Sequence, residues 1–325
     1  MREVVFSRNN EEKWKAIEAY LSGNGSITAD ELADYYTHIN DDLSYAKTFY
    51  PESKLVSYLN TLALSLHRKI YKNKKERSSR FKHFWKYEVP LAMRAGHKEL
   101  LYSFIVFVVA IVIGVFSSMY DDSFVRLILG DQYVNMTLNN IDQGDPMGVY
   151  RSHSQGGMFF GIAINNVRVS FMAFALGILS SAMTGYILLQ NGIMVGAFQY
   201  FFIQKGLGWI SFSTIFLHGA LELSAIVIAG AAGMVVGNSW MFPGTYSRSV
   251  SLTRGVKVAL KIIIGLVPVF IVAAVIESFV TRLYQDMPSA LRSAIILISF
   301  AWVIYYFVIL PIKLERSGEV YDLKD

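Results

Sequence analysis

The sequence has no cysteine and little charge. Of its 325 residues only 17% are charged, against about 25% in soluble globular proteins. Without cysteine the chain forms no disulfide, no thiolate metal site and no thiol nucleophile. Because 53% of the residues are hydrophobic, the composition excludes a disordered chain and an ordinary water-soluble enzyme. It predicts a polytopic membrane protein with a soluble part attached.

The signatures of common enzyme classes are missing as well. The sequence contains no Walker A motif, no G-x-S-x-G and no H-E-x-x-H, so phosphate-binding loops, hydrolase elbows and zinc protease helices are not indicated. Gly130-Asp131 is a lone dipeptide and does not make an intramembrane aspartyl protease. We therefore expect a protein without enzymatic activity, catalytic residues or cofactors.

The chain divides near residue 99 into a charged part and an apolar part. Residues 1–80 carry apolar residues at helical spacing, and Thr28 with Glu31 forms a capping box. This pattern predicts a helical region, which can pack as three helices. The first residues contain no apolar segment of a signal peptide, so we expect this region to stay in the cytoplasm.

A basic cluster precedes the first apolar run. Residues 72–98 hold nine Lys or Arg and only two acidic residues, which fits the excess of positive charge at the cytoplasmic face of membranes. We therefore predict contact with the lipid bilayer rather than with nucleic acid, and a basic interfacial helix over residues 81–99. The predicted lipid-facing residues are Lys72, Lys74, Lys75, Arg77, Arg80, Lys82 and Lys86.

The apolar part predicts an all-α, polytopic membrane bundle of about six spans. Loop charge places both termini in the cytoplasm, with a transmembrane domain at 100–312, an extracytoplasmic acidic loop at 121–157 and a tail at 313–325. The short segment 191–205 is either a crossing or a tilted, broken or re-entrant element. The predicted spans are 100–120, 158–189, 191–205, 210–236, 256–280 and 291–310.

Glycine is concentrated in residues 156–237, which hold 13 of the 24 glycines. The spaced pairs Gly192 with Gly196 and Gly233 with Gly237 are typical of closely packed membrane helices. A sharper alternative is that broken, glycine-rich helices line a cavity near the midplane, as in transporters. The same faces favour self-association, most simply as a homodimer.

His218 and Glu222 form an intramembrane polar pair on one face of an apolar helix. Such residues are costly in a bilayer and face protein or water. The pair is able to bind a cation, to relay protons, or to have a purely structural role in which neighbouring groups form its hydrogen bonds. Because a metal site needs three or four ligands and two are visible, we expect no metal and favour hydrogen bonding to Asn165, Asn166 or Asn191.

Two further charged residues belong to the candidate polar site. Arg168 either extends to the interface or pairs with Glu222 or Glu277, and Glu277 is predicted near the outer end of the fifth span. By contrast, we interpret Pro243-Gly244 followed by Arg248 as a cytoplasmic turn that helps to set topology.

Several motifs in order resemble the stage II sporulation protein M family of bacterial membrane proteins. The most specific is H-G-x-L-E-L at 218–223 inside an apolar span. The others are D-L-S-Y-A at 42–46, Y-L-N-x-L at 58–62, N-N at 165–166, N-G at 191–192, P-G at 243–244, S-R at 247–248 and A-A at 273–274 before Glu277.

The resemblance implies an all-helical protein of the bacterial inner membrane that acts as an anchor or scaffold for a cell-envelope complex. It also implies protein partners, among which an AAA-type ATPase system is expected. The rival hypothesis is a transporter or channel for a small solute or ion, using the face of His218 and Glu222.

Overall fold

The computed structural model describes residues 2–23, 28–70, 77–150 and 155–318. Every regular element in these ranges is a helix, which confirms the predicted all-α class. The chain forms two compact units, which divide at Arg77.

The N-terminal unit is built from three helices, α1 (Glu3–Leu21), α2 (Ala29–Phe49) and α3 (Lys54–Ile70). The Thr28 hydroxyl accepts the amide of Glu31, and the Glu31 carboxylate accepts the amide of Thr28, so the predicted capping box begins α2. The three helices enclose a core of their own, formed by Phe6, Trp14, Ile17, Ile39, Leu43, Ala46, Leu59, Leu62, Ala63 and Leu66.

The second unit contains the apolar helices. Five of them, within the described residues, are long and apolar enough to cross a membrane, namely His97–Tyr120, Ser181–Gln204, Gly208–Met241, Arg248–Leu283 and Ser289–Arg316. The count of six spans stays a prediction. The elements are α4 (Arg77–His83), the π-helical turn Phe84–Glu88, α5 (Val89–Ala95), α6 (His97–Tyr120), α7 (Asp122–Leu129), α8 (Asp131–Asp142), the 3₁₀ turn Gly148–Tyr150, α9 (Gln155–Gly177), α10 (Ser181–Gln204), α11 (Gly208–Met241), α12 (Arg248–Val275), the π-helical turn Ile276–Val280, the 3₁₀ turn Thr281–Leu283, α13 (Ser289–Ile304), the π-helical turn Tyr305–Ile309 and α14 (Leu310–Arg316).

Helix α11 lies at the centre of this unit. It packs against α6, α9, α10, α12 and α13, and 78% of its most apolar stretch is buried by the rest of the chain, against 22% for α6. Small residues such as Ala225, Ala229 and Ala232 line its buried surface. Because a lipid environment gives no hydrophobic drive for helices to associate, such residues let the helices gain close packing contacts.

The four glycines singled out in the sequence lie at helix contacts. A Cβ atom at Gly196 would collide with the backbone carbonyl of Ile111 on α6, and one at Gly192 would crowd Ala110 on the same helix. Gly233 lies against Ala173 of α9 and Thr184 of α10, and Gly237 lies against Ser181 of α10. Neighbouring helices of the same chain therefore already cover the surfaces around these glycines.

The predicted boundary between the second and third spans is wrong. Segment 158–189 contains a break after Gly177, and Ser181–Gln204 is a single 24-residue helix that passes through residue 191. The Ser180 side chain accepts the amide of Met183 and so begins α10. Asn191 does not interrupt this helix, because its amide donates to the carbonyl of Ile187 one turn earlier, at 2.8 Å.

The predicted interfacial helix over 81–99 is replaced by several elements. Residues Val89–Ala95 form α5, of which 89–93 are buried against other helices. The Glu88 carboxylate lies 2.9 Å from Lys261 Nζ. Burial raises the pKa of Glu88, but the hydrogen bond and charge of Lys261 outweigh it and lower that pKa below its usual value. The second half of this segment therefore belongs to the protein interior rather than to the lipid surface.

The basic residues before α5 are only partly described. Arg80, Lys82 and Lys86 are exposed, and Lys86 lies over the ring of Tyr87. The side chain of Arg77 and the residues Lys72, Lys74 and Lys75 lie outside the described part of the structure.

The predicted acidic loop at 121–157 contains two helices. The Asp121 carboxylate accepts the amide of Ser123 and begins α7. Val125 on α7 and Val134 on α8 belong to a buried cluster with Phe201 and Phe202 of α10. Apolar residues spaced among the aspartates give these helices a side that packs on α10, and the extracytoplasmic location of the segment stays a prediction.

Packing at Gly196 is testable by a single methyl group. We expect Gly196→Ala to destabilise the membrane unit by about 1–3 kcal/mol, because the backbone of α6 cannot yield easily. Thermal unfolding in detergent measures this loss. Gly185→Ala on the same helix is the matched control, since no neighbouring group lies within 4 Å of its added Cβ. Equal melting temperatures for both variants would contradict the close contact of α6 and α10.

Candidate functional site

His218 lies ten residues into α11, about 15 Å along it at the rise of an α-helix. Its side chain is buried, with 4% of the residue exposed. The Nδ1 atom lies 3.1 Å from the hydroxyl of Thr281, and that hydroxyl donates to the carbonyl of Ile276. Since a hydroxyl has one proton, Thr281 accepts from Nδ1–H. In a neutral His218 the proton is then on Nδ1 and the lone pair is on Nε2.

Glu222 follows one turn later on the same face of α11. Its Oε1 atom accepts a hydrogen bond from Asn166 Nδ2 at 2.6 Å. Asn166 comes from α9 and is 9% exposed. Helix α9 thus holds the carboxylate of Glu222 in position.

Glu277 completes the group from a third direction. It lies in the π-helical turn Ile276–Val280 that follows α12, a kind of irregularity that often occurs at functional sites. Its Oε1 atom lies 3.7 Å from His218 Nε2. One ligand atom from each of His218, Glu222 and Glu277 lies within 4.8 Å of the others. We call these three residues the polar cluster.

A cavity of about 340 Å³ reaches the polar cluster. His218 and Glu222 form part of its wall, together with Tyr133 and Tyr150 from the segment between α6 and α9. The ring of Tyr150 meets the ring of His218 edge-on, with centroids 5.7 Å apart. Burial raises the pKa of Tyr133 to about 12, so this phenol stays neutral at physiological pH. The remaining wall is mostly apolar.

The other predicted site residues lie elsewhere. Asn165 is exposed, and Asn191 bonds to its own helix, so Asn166 is the asparagine that reaches Glu222. Arg168 is exposed and, among the described residues, forms no ion pair with either carboxylate of the polar cluster. Of the two alternatives predicted for Arg168, the pairing with Glu222 or Glu277 is therefore wrong.

The turn predicted around residue 243 lies between α11 and α12. Gly244 adopts a positive φ of 62°, a conformation that suits glycine. Pro243 accepts the amide of Tyr246, and Arg248 is the exposed first residue of α12. Arg254 stacks over the Tyr246 ring at 3.9 Å, and none of these turn residues belongs to the polar cluster.

Three features of the site were not predicted from the sequence. Glu277 was a candidate residue, but its meeting with His218 as a third ligand was not foreseen. Thr281 carried a usable signal, because it stands four residues after Glu277. Tyr150 carried none, since it follows a polar stretch that predicts a loop.

Comparison with known proteins gives two matches to family models. The model described as Stage II sporulation protein M matches residues 103–282, a range that includes the whole polar cluster and Thr281. A second model, described as Domain of unknown function (DUF8413), matches residues 4–72, which correspond to the N-terminal unit. No curated protein and no solved structure matches the chain.

The role of Thr281 in orienting His218 is testable with an isosteric change. We expect Thr281→Val to destabilise the protein by about 1–3 kcal/mol, because the buried Nδ1–H would lose its acceptor. Thermal unfolding in detergent measures the change. Thr253→Val is the control, since the hydroxyl of Thr253 is exposed and donates within its own helix. A melting temperature unchanged by Thr281→Val would argue against this hydrogen bond.

Proposed function

The chain belongs to the stage II sporulation protein M family, and from this premise we propose that it is a non-enzymatic anchor of the bacterial inner membrane. In this role it gathers the proteins of a cell-envelope complex. The N-terminal unit faces the cytoplasm, as does the C-terminal tail, in keeping with the distribution of basic residues. Membership in the family and the apolar helices support the membrane location.

The observation that carries this proposal is the separate N-terminal unit. It has its own buried core and its own family match, distinct from that of the membrane unit. A folded module of this kind is suited to hold a partner beside the membrane. Its outer surface includes large exposed apolar residues, among them Val4 at 78% and Phe49 at 59%, and exposed apolar groups favour protein contacts. An AAA-type ATPase system is the kind of cytoplasmic partner that we propose.

The segment between α6 and α9 offers a second docking region on the opposite side of the membrane. It is folded onto the ends of the apolar helices, since Asp122 accepts from Gln204 and Asp145 accepts from Tyr284. A surface held in this way can present its remaining acidic groups to an extracytoplasmic partner. A homodimer through the four packing glycines is not part of the proposal, because those glycines are covered within the chain.

A pull-down in mild detergent at native expression tests the anchor. We expect the full chain to recover a cytoplasmic protein, and a variant lacking residues 2–70 to lose it while still entering the membrane. Glu222→Gln is the matched control, because its change lies in the membrane unit and leaves the N-terminal unit intact. Recovery of no partner by the full chain, or equal recovery by the truncated one, would contradict the proposal.

Transport of a small solute or ion is a second candidate function. One observation favours it, namely the cavity whose wall includes His218 and Glu222. Ionisable residues within a membrane commonly mark ion or proton pathways.

Reconstituted liposomes distinguish the two functions. If the protein is a transporter, we expect flux of an ion or solute that Glu222→Gln reduces at least tenfold. The exposed Glu315→Gln should leave this flux unchanged. An absence of flux from well-folded wild-type protein would eliminate transport for the ions and solutes tested and leave the anchor as the proposed function.

A further inference from the structure

The polar cluster has the composition of a metal site. It presents one imidazole nitrogen and two carboxylates from two different parts of the chain, with their ligand atoms within 4.8 Å of one another. Around a tetrahedral zinc ion, bond lengths of 2.0–2.1 Å place two ligands about 3.4 Å apart. The separation of 3.7 Å between His218 Nε2 and Glu277 Oε1 is close to that value. The widest pair of ligand atoms would have to approach by at most about 1.4 Å to reach this geometry.

The hydrogen bonds around the polar cluster prepare His218 to bind a cation. With Nδ1–H donating to Thr281, a neutral His218 directs the lone pair of Nε2 toward a carboxyl oxygen of Glu277, which is another acceptor. Two acceptors facing each other gain nothing unless a cation or a proton lies between them. Metal-binding histidines usually donate their second nitrogen to a neighbouring oxygen in this way. Here a buried ring nitrogen without a hydrogen bond among the described residues faces the cluster.

The balance of charge leads to the same conclusion. Glu222 and Glu277 are largely buried, and no Lys or Arg among the described side chains pairs with either. Their side chains hydrogen bond to each other, which requires a proton between them, because two buried carboxylates close together would repel. A divalent cation could take the place of that proton and neutralise both groups. Asn166 adds an outer hydrogen bond to Glu222, as metal-bound carboxylates usually receive.

We propose that His218, Glu222 and Glu277 bind one divalent transition-metal ion, with Zn²⁺ as the best fit. An imidazole with two carboxylates suits zinc, whereas Ca²⁺ requires six to eight oxygen ligands and Mg²⁺ a nearly octahedral oxygen shell. The fourth position would face the cavity beneath Tyr150. Such an ion would tie the middle of α11 to the turn after α12. This proposal holds whether the protein is an anchor or a transporter.

Metal analysis of the full chain tests the site. The protein is purified in detergent without a polyhistidine tag, stripped with chelator and titrated with Zn²⁺, Mg²⁺ or Ca²⁺. Bound metal is measured by mass spectrometry and stability by thermal unfolding. We expect about one Zn²⁺ per chain, with a higher melting temperature in Zn²⁺ and little response to Mg²⁺ or Ca²⁺.

Variants locate the bound ion. His218→Ala and Glu277→Gln should abolish stoichiometric binding and the thermal response to Zn²⁺. Asn166→Ala should keep the stoichiometry but weaken affinity by about 10–100-fold, the usual effect of removing an outer-shell partner. His38→Ala, an exposed histidine of the N-terminal unit, is the control and should bind as wild type does.

Three results would overturn the proposal. The first is a well-folded wild-type protein that binds no Zn²⁺ and shows no thermal response, which would mean that protons alone balance the two carboxylates. The second is unchanged binding by both His218→Ala and Glu277→Gln. The third is loss of binding in His38→Ala, which would place the ion at a surface histidine.

Discussion

The membrane unit depends on the close approach of α9 and α10 to the central helix α11. At Gly233 and Gly237 the neighbouring helices come so near that a Cβ atom would not fit. Lipid chains are as apolar as leucine, so helices in a membrane associate through such packing rather than through the hydrophobic effect. This contact fixes where α9 lies, and α9 carries Asn166 to Glu222. The packing therefore sets the geometry of the polar cluster.

A helix buried on most sides can carry ionisable residues only if its neighbours satisfy them. His218 hydrogen bonds to Thr281, which follows α12. Glu222 accepts a hydrogen bond from Asn166 of α9. The Oε1 atom of Glu277 lies 3.7 Å from the Nε2 atom of His218. The π-helical turn matters here, because its wider turn changes the direction in which side chains leave the helix. Three separate elements thus converge on one point.

The sequence predicted much of the fold because its local signals agreed with the final packing. Thr28 with Glu31 does begin a helix, and the apolar segments do form long helices. The prediction was wrong where a polar residue was satisfied locally. Asn191 suggested a boundary but bonds within its own helix, whereas the break occurs after Gly177. The sequence did not predict the two short helices within 121–157, because their apolar residues are spaced among polar ones and aspartates.

The sequence by itself determined the all-α class, the apolar helices, the position of His218 and Glu222 on one helix face and the family. These properties follow from periodicity and motif spacing, which act over one or two turns. Only the tertiary structure decided that Glu277 meets His218, that Asn166 rather than Asn165 or Asn191 holds Glu222, and that Tyr150 lies beside the cluster. Glu277 stands 59 residues from His218 in the chain, and such contacts arise from the crossing of whole helices, which no local pattern encodes.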